Sequence, residues 1–271
     1  MSSPRACALF ALPLLLSACA HRPLSAAALS EVSRPAFISR IEEGAGPRSR
    51  VFSGDKSYRP RLERLDPKEA DRRLQVRLAQ AMTRFEVAER LRATTTAKLP
   101  PERPWTHAVD AVRVARVLQS FLVEEVPANA PDYQLLGELG ADSVVELVIE
   151  SYGMRSKGGK GGVFLEGYGR MFTLDGDELW RRRFRADWLD SGLEPLDPLR
   201  VAKEPERYRE ALTLLLDGVA QQMAKDLNPP DRRSRPSPAP DDARPDARQA
   251  PDAAPPDDAD PFNGGLPDPD A

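Results

Sequence analysis

The chain has 271 residues, with 39 lysines and arginines against 42 aspartates and glutamates, a net charge of -3 and a mean hydropathy of -0.49. That length holds one domain of ordinary size with tails, or at most two domains, and the polarity excludes a polytopic membrane protein. Twelve of the 27 prolines follow Asn228, which separates a tail from a body.

The first twenty residues read as a targeting segment. Arg5 supplies a minimal positive region, and Ala6 to Leu16 is apolar apart from Pro13. This run is too short to cross a bilayer core of about 30 Å as a helix, so it reads as a signal peptide. Its ending, Leu16-Ser-Ala-Cys19, resembles the lipobox of bacterial lipoproteins. The alternative is an ordinary secretory signal with a chance cysteine. The resemblance implies cleavage before Cys19, diacylation of its thiol and acylation of the new amino terminus. Residues 1–18 are then the signal peptide, Cys19 is the lipidation site and membrane anchor, and 19–34 is a lipidated tether expected to be mobile. The residue after the cysteine is Ala20 rather than the aspartate of inner-membrane retention, which implies the outer membrane, on its periplasmic face. Cys7 leaves with the signal and Cys19 carries lipid, so the mature body has no disulfide and no thiol nucleophile. Several acyl chains exceed the threshold for stable membrane attachment.

Residues 35–228 read as a single α/β domain. Pro35 to Ile41 is the first expected strand, with Phe37, Ser39 and Ile41 alternating with Ile38 and Arg40. Glu42 to Arg64, with Gly44, Gly46, Pro47, Gly54 and Pro60, reads as loop. Asp66-Pro67-Lys68-Glu69 opens a helix with a capping side chain and a proline in the first turn. Leu74, Leu78, Ala81, Met82, Phe85 and Ala88 continue it at helical spacing to about Arg92. Its arginines suit phosphates or lipid headgroups, but interspersed Glu69, Asp71, Glu86 and Glu89 favour a plain solvated face. Lys98 to Pro104 breaks the chain. Trp105 to Glu124 carries Val109, Val112, Val117, Leu118, Phe121 and Leu122 and predicts a second helix. A short helix over Asp132 to Leu139 ends at Gly140.

Three antiparallel strands follow. In Ser143 to Gly153, Val145, Leu147 and Ile149 point one way, while Val144, Glu146, Val148, Glu150 and Tyr152 point the other. One face is wholly apolar, as for a sheet covered on one side by helices. Ser156-Lys-Gly-Gly-Lys-Gly-Gly162 lacks the helix and the Lys-Ser/Thr ending of a phosphate loop, so it reads as a flexible hairpin tip. Gly162 to Leu174 is the middle strand. Asp175-Gly176-Asp177 is a tight turn, read as turn chemistry rather than paired catalytic carboxylates or a calcium loop. In the last strand Trp180, Phe184, Ala186 and Trp188 share one face, opposite Leu179, Arg181, Arg183, Arg185 and Asp187. Arg182 intrudes on the aromatic face, which marks a bulge or an incomplete core.

Pro205 starts a closing helix to about Leu227, with Tyr208, Ala211, Leu212, Leu215, Val219 and Met223 on its buried stripe. From residue 229 on, ten aspartates and five arginines with almost no apolar side chains predict a disordered tail, 229–271. Only His21 and His107 exist, and no cysteine, histidine and carboxylate cluster has metal-ligand spacing. No Gly-x-Ser-x-Gly elbow appears. No metal, no cofactor and no enzyme activity is expected.

The fold class is α+β or an α/β sandwich: a mostly antiparallel sheet with a three-strand meander, packed by helices on one face. The run from Leu136 to Glu150 resembles envelope lipoproteins of the CsgG-like and TolB-amino-terminal-like group, which includes penicillin-binding-protein activator lipoproteins. There a short helix ending in Gly-Ala-Asp leads into a strand, and a later strand often reads Gly-x-x-Leu-Trp; here it is Gly176-Asp-Glu-Leu-Trp180. The resemblance covers roughly residues 130–228, while the stretch from Leu62 to Arg103 departs from it. It implies a non-enzymatic role in binding a partner, assembling, or regulating an envelope machine. The expected function is a lipid-anchored periplasmic module that binds an envelope protein or polymer, and no nucleic acid. An oligomeric secretion component, or a small-ligand binder or enzyme, are the alternatives. The expected partner-binding face carries Glu146, Glu150, Arg181, Arg183 and Arg185.

Overall fold

The computed structural model describes residues 21–118 and 130–229. The expected signal peptide, Cys19, the tail from 230, and the end of the helix predicted to Glu124, with Phe121 and Leu122, lie outside the described residues. The architecture is mixed α+β. A mostly antiparallel open sheet contains β1 (Pro35–Ile41), β2 (Arg48–Arg50), β3 (Ser143–Lys157), β4 (Lys160–Thr173) and β5 (Glu178–Asp187). The order is β1-β3-β4-β5, with β2 beside β3 beyond the end of β1. Both β1 and β2 run parallel to β3, whereas β3, β4 and β5 form the antiparallel meander.

One sheet face carries the main core. Val145, Leu147, Ile149, Leu165, Met171, Trp180 and Phe184 pack against α2 (Pro67–Ala81), α3 (Arg84–Lys98) and α6 (Glu206–Asp226). Space for the aromatic side chains comes from the strand between them. A Cβ on Gly169 would lie 2.5 Å from the Trp180 ring, so only glycine lets the indole lie flat across β4. A second, smaller core covers part of the other face. There Ala36, Ile38 and Val144 meet Val114 and Leu118 of α4 (Ala111–Leu118) and Leu136 of the 3₁₀ turn Tyr133–Leu139. α4, the described part of the helix predicted from Trp105, therefore lies on the opposite face from α2 and α6, whereas Trp105 itself is buried in the main core.

The single helix expected over residues 66–92 is two helices. Met82 leaves the helix with extended backbone, and Thr83 and Glu86 form a capping box that starts α3 afresh. The break turns α3 against α6, where Arg90 pairs with Asp217 at 2.6 Å and Arg209 with Glu86 at 2.5 Å. The helix expected from Trp105 is also interrupted. The N–H of Val109 is donated to the Pro35 carbonyl at 2.9 Å, and Asp110 caps the next segment through the Arg113 N–H. Gly140 ends the turn before β3 at a φ of 74°, as its position in the sequence suggests.

Two expectations about faces change. Tyr152 belongs to the main core with Ile149, not with Val148. The β3–β4 register slips between Ile149 and Ser151, so Glu150 is a bulged residue and everything after it changes side. A second slip between Met171 and Phe172 makes Leu179 the extra residue of β5. Arg182 does face the helices, and it ends in an ion pair with Asp226 of α6 at 3.2 Å.

The 42–64 stretch, expected as loop, contains β2, and a buried carboxylate on α2 holds its middle. Asp71 on α2 accepts from the N–H groups of Val51, Phe52 and Ser53 at 2.9, 3.1 and 2.9 Å. The hydroxyls of Ser49 and Ser53 donate to it as well, at 2.5 and 2.6 Å. β2 then approaches β3 so closely that a Cβ on Gly153, whose φ is 148°, would lie 1.9 Å from the Arg48 carbonyl.

Residues 21–34 do not behave as the free tether expected. Arg22 exchanges two backbone hydrogen bonds with Arg181 of β5, at 3.0 and 2.9 Å. Leu24 and Val32 are buried in the main core, and Ser25 caps α1 (Ala26–Glu31). Asp142 accepts from the N–H groups of Ser33 and Arg34 at 2.6 and 3.0 Å. Leu24, Leu29 and Val32, scattered among small and polar residues, gave periodicity little to register, yet burying Leu24 and Val32 fixes the segment.

Candidate partner-binding face

The sheet face opposite the main core is apolar near the start of β3 and charged beyond it. Alternation along each strand puts Arg40 of β1, Glu146 and Val148 of β3, Glu166, Tyr168 and Arg170 of β4, and Arg181, Arg183 and Arg185 of β5 on this side. The charges are arranged in tiers set by the register.

Glu146 lies in the first tier and is fully buried, which corrects its expected place on an exposed surface. The parallel register sets Arg40 two residues along β1 from its partner Ile38, and the antiparallel register sets Arg170 directly opposite. Arg40 Nε donates to Glu146 Oε1 at 2.7 Å, and Arg170 Nε donates to Oε2. The Tyr133 hydroxyl, brought over by the 3₁₀ turn, also donates to Oε1. Arg40 Nη2 donates to the Tyr168 hydroxyl at 3.1 Å. Burial alone would raise the Glu146 pKa; the hydrogen bonds from Tyr133, Arg40 and Arg170 and the Arg170 charge outweigh it and hold the carboxyl below the usual range. Burial, and next the adjacent carboxylate, push the Tyr133 phenol far above its ordinary value. Burial would lower the Arg40 pKa, but the hydrogen bond and charge of Glu146 raise it. A carboxylate kept charged between two guanidiniums and a phenol that keeps its proton form a fixed ionic clasp joining β1, β3, β4 and the turn.

The outer tiers are more open. The bulge aims Glu150 at Arg183, which donates to it at 2.5 Å. Arg181 pairs with Glu178 on its own strand at 2.5 Å and lies 5.6 Å from the centre of the Tyr168 ring. Glu166 takes Arg185 at 3.3 Å and Arg155 at 3.6 Å. Arg185 is the most open of these, with 68% of its side chain exposed. The structure thus brings Glu150, Arg183 and Arg185 together on an accessible surface and places Arg181 at its margin. Arg40, Arg170, Tyr133 and Tyr168 were not singled out from the sequence. Arg170 and Tyr168 do stand at alternate positions with Glu166, but only the register shows that they converge on Glu146.

Elsewhere, a groove of about 560 Å³ runs between α2 and α5 (Pro198–Lys203), floored by Leu62, Leu65 and Leu74. Two of its arginines, Arg72 and Arg73, are engaged by Glu69 at 2.7 and 2.8 Å. Among the described residues no group of three or more histidines, cysteines or carboxylates is placed to hold a metal ion, and no helix is long and apolar enough to cross a membrane.

No family description and no curated protein matches the chain. Solved structures that resemble it include the following two. The lipoprotein GNA1162 from Neisseria meningitidis is 11% identical, with a TM-score of 0.33 over 71% of this chain and 99% of that one. The hypothetical protein CT253 from Chlamydia trachomatis is 11% identical, with a TM-score of 0.31 over 72% of this chain and 94% of that one.

Proposed function

We propose that this is a lipid-anchored, non-catalytic module of a bacterial envelope, held at the outer membrane through Cys19 with its body on the periplasmic side. Its role is to bind another envelope protein or polymer across the outer tiers of the charged sheet face. The observation that carries the reading is Leu16-Ser-Ala-Cys19 after a short apolar run, immediately before a folded body. The sheet face supports it. Its buried clasp fixes the strands, while Glu150, Arg183 and Arg185 present alternating charge on a rigid scaffold. Paired surface charges of this kind contribute little to stability, about 0–1 kcal/mol each, so their value lies in orientation and complementarity toward a partner.

A photo-cross-linking residue at Arg183 in cells tests the reading. One reproducible adduct is expected, absent when the same probe replaces Val76 on α2. No adduct, or the same pattern from both positions, contradicts a partner site on this face.

A further inference from the structure

Anchor and fold together constrain how the body meets the membrane. Cys19 precedes Arg22 by three residues, a span of at most about 11 Å even when fully extended. Arg22 is clipped to the outer edge of β5 by two backbone hydrogen bonds with Arg181. His21 continues alongside: its Nδ1 lies 3.1 Å from the Arg181 carbonyl and its Nε2 lies 3.3 Å from Arg182 Nη1. If the clip opens, Leu24, buried in the main core, holds the chain two residues later, at most about 18 Å from Cys19. A free tether over 19–34 would instead reach about 50 Å and permit any orientation.

We infer that the β5 edge is the membrane-proximal surface of the protein and that it rests against lipid headgroups, with the charged sheet face turned sideways and open to partners. This rests on the lipid-anchor reading above. The chemistry of the edge fits a phosphate layer. Arg182, Arg183 and Arg185 stand on this strand, each with a carboxylate partner that a lipid phosphate can replace, since a guanidinium binds either anion. Each already has a carboxylate neighbour, so the edge has no net attraction strong enough to replace the anchor. It is a surface that tolerates and orients against headgroups once the acyl chains bring it there. The opposite margin of the sheet, where α2 covers β2, is held away from the bilayer.

The lipidated thiol of Cys19 leaves no reactive cysteine in the mature chain, so a single introduced cysteine can be labelled cleanly. The full-length lipidated protein, carrying a fluorophore at Arg185→Cys or at Val76→Cys, is reconstituted into phosphatidylcholine–phosphatidylglycerol vesicles that contain headgroup-spin-labelled lipid. The expected result, on vesicles recovered by flotation, is quenching at least threefold stronger at 185 than at 76. Arg183→Cys supplies the edge position if the 185 variant loses its fold. Equal quenching at the edge and at residue 76 overturns the inference while leaving the anchor intact. Protein that does not float with the vesicles overturns the anchor reading, and this inference with it.

Discussion

Replacing Glu146 with alanine is expected to destabilise the domain by about 3–5 kcal/mol, read as a shift in the urea midpoint at unchanged slope. The cost follows from what remains. Arg40 is 8% exposed, and without Glu146 it is a buried cation that keeps its hydrogen bond to the Tyr168 hydroxyl but loses the Glu146 carboxylate. The Tyr133 hydroxyl loses its acceptor at the same time. The double variant Arg40→Met with Glu146→Leu removes both charges and is expected to regain at least half of the loss, since apolar replacements of a buried pair are often neutral. Arg170 is partly exposed and can turn to water. A single-variant loss below about 1 kcal/mol would mean that the carboxylate is solvated in the folded protein. The same site sets an acid limit. The folded pKa of Glu146 lies below its unfolded value, so its contribution is complete above about pH 4.5 and is lost as the pH falls through the depressed folded value. Wild type is expected to lose stability over that acid range, and the double variant to lose less.

Asp71→Ala is the second large effect, about 2–4 kcal/mol. Three backbone N–H groups and two hydroxyls lose their common acceptor in one step. Burial would raise the Asp71 pKa, but the hydrogen bonds from Ser49 and Ser53, with those from the Ser53 and Phe52 amides, outweigh it and keep the carboxyl below its usual range. The damage is expected to be local first. Amide exchange at Val51, Phe52 and Ser53 should accelerate more than exchange in β4. Acceleration spread evenly over the sheet would show that Asp71 is a general core residue rather than the clamp of this loop.

The meander could be read from the sequence because the first and last strands have distinct alternating faces, and the Asp-Gly-Asp turn and Gly140 mark two of its ends. What resisted reading was whatever depends on register. The bulge at Glu150 has no composition signal, yet it carries Tyr152 into the core and aims Glu150 at Arg183. The break at Thr83 was readable as Thr83-x-x-Glu86, a capping box, but apolar spacing through Met82 and Phe85 masked it. Arg40 and Arg170 lie 106 and 24 residues from Glu146, so their convergence is tertiary information. The same holds for Arg22 on β5, which turned an expected tether into part of the fold.

The proposed membrane anchor, and the orientation inferred from it, depend on the covalent state of Cys19. Mass spectrometry of the amino-terminal peptide of protein extracted from cell membranes measures it directly. The expected chain begins at Cys19 and carries a thioether-linked diacylglyceryl group and an amide-linked acyl chain, with a Cys19→Ala variant lost from the membrane fraction. A mature terminus at any other residue, or an unmodified Cys19 in protein that still fractionates with membranes, would contradict it.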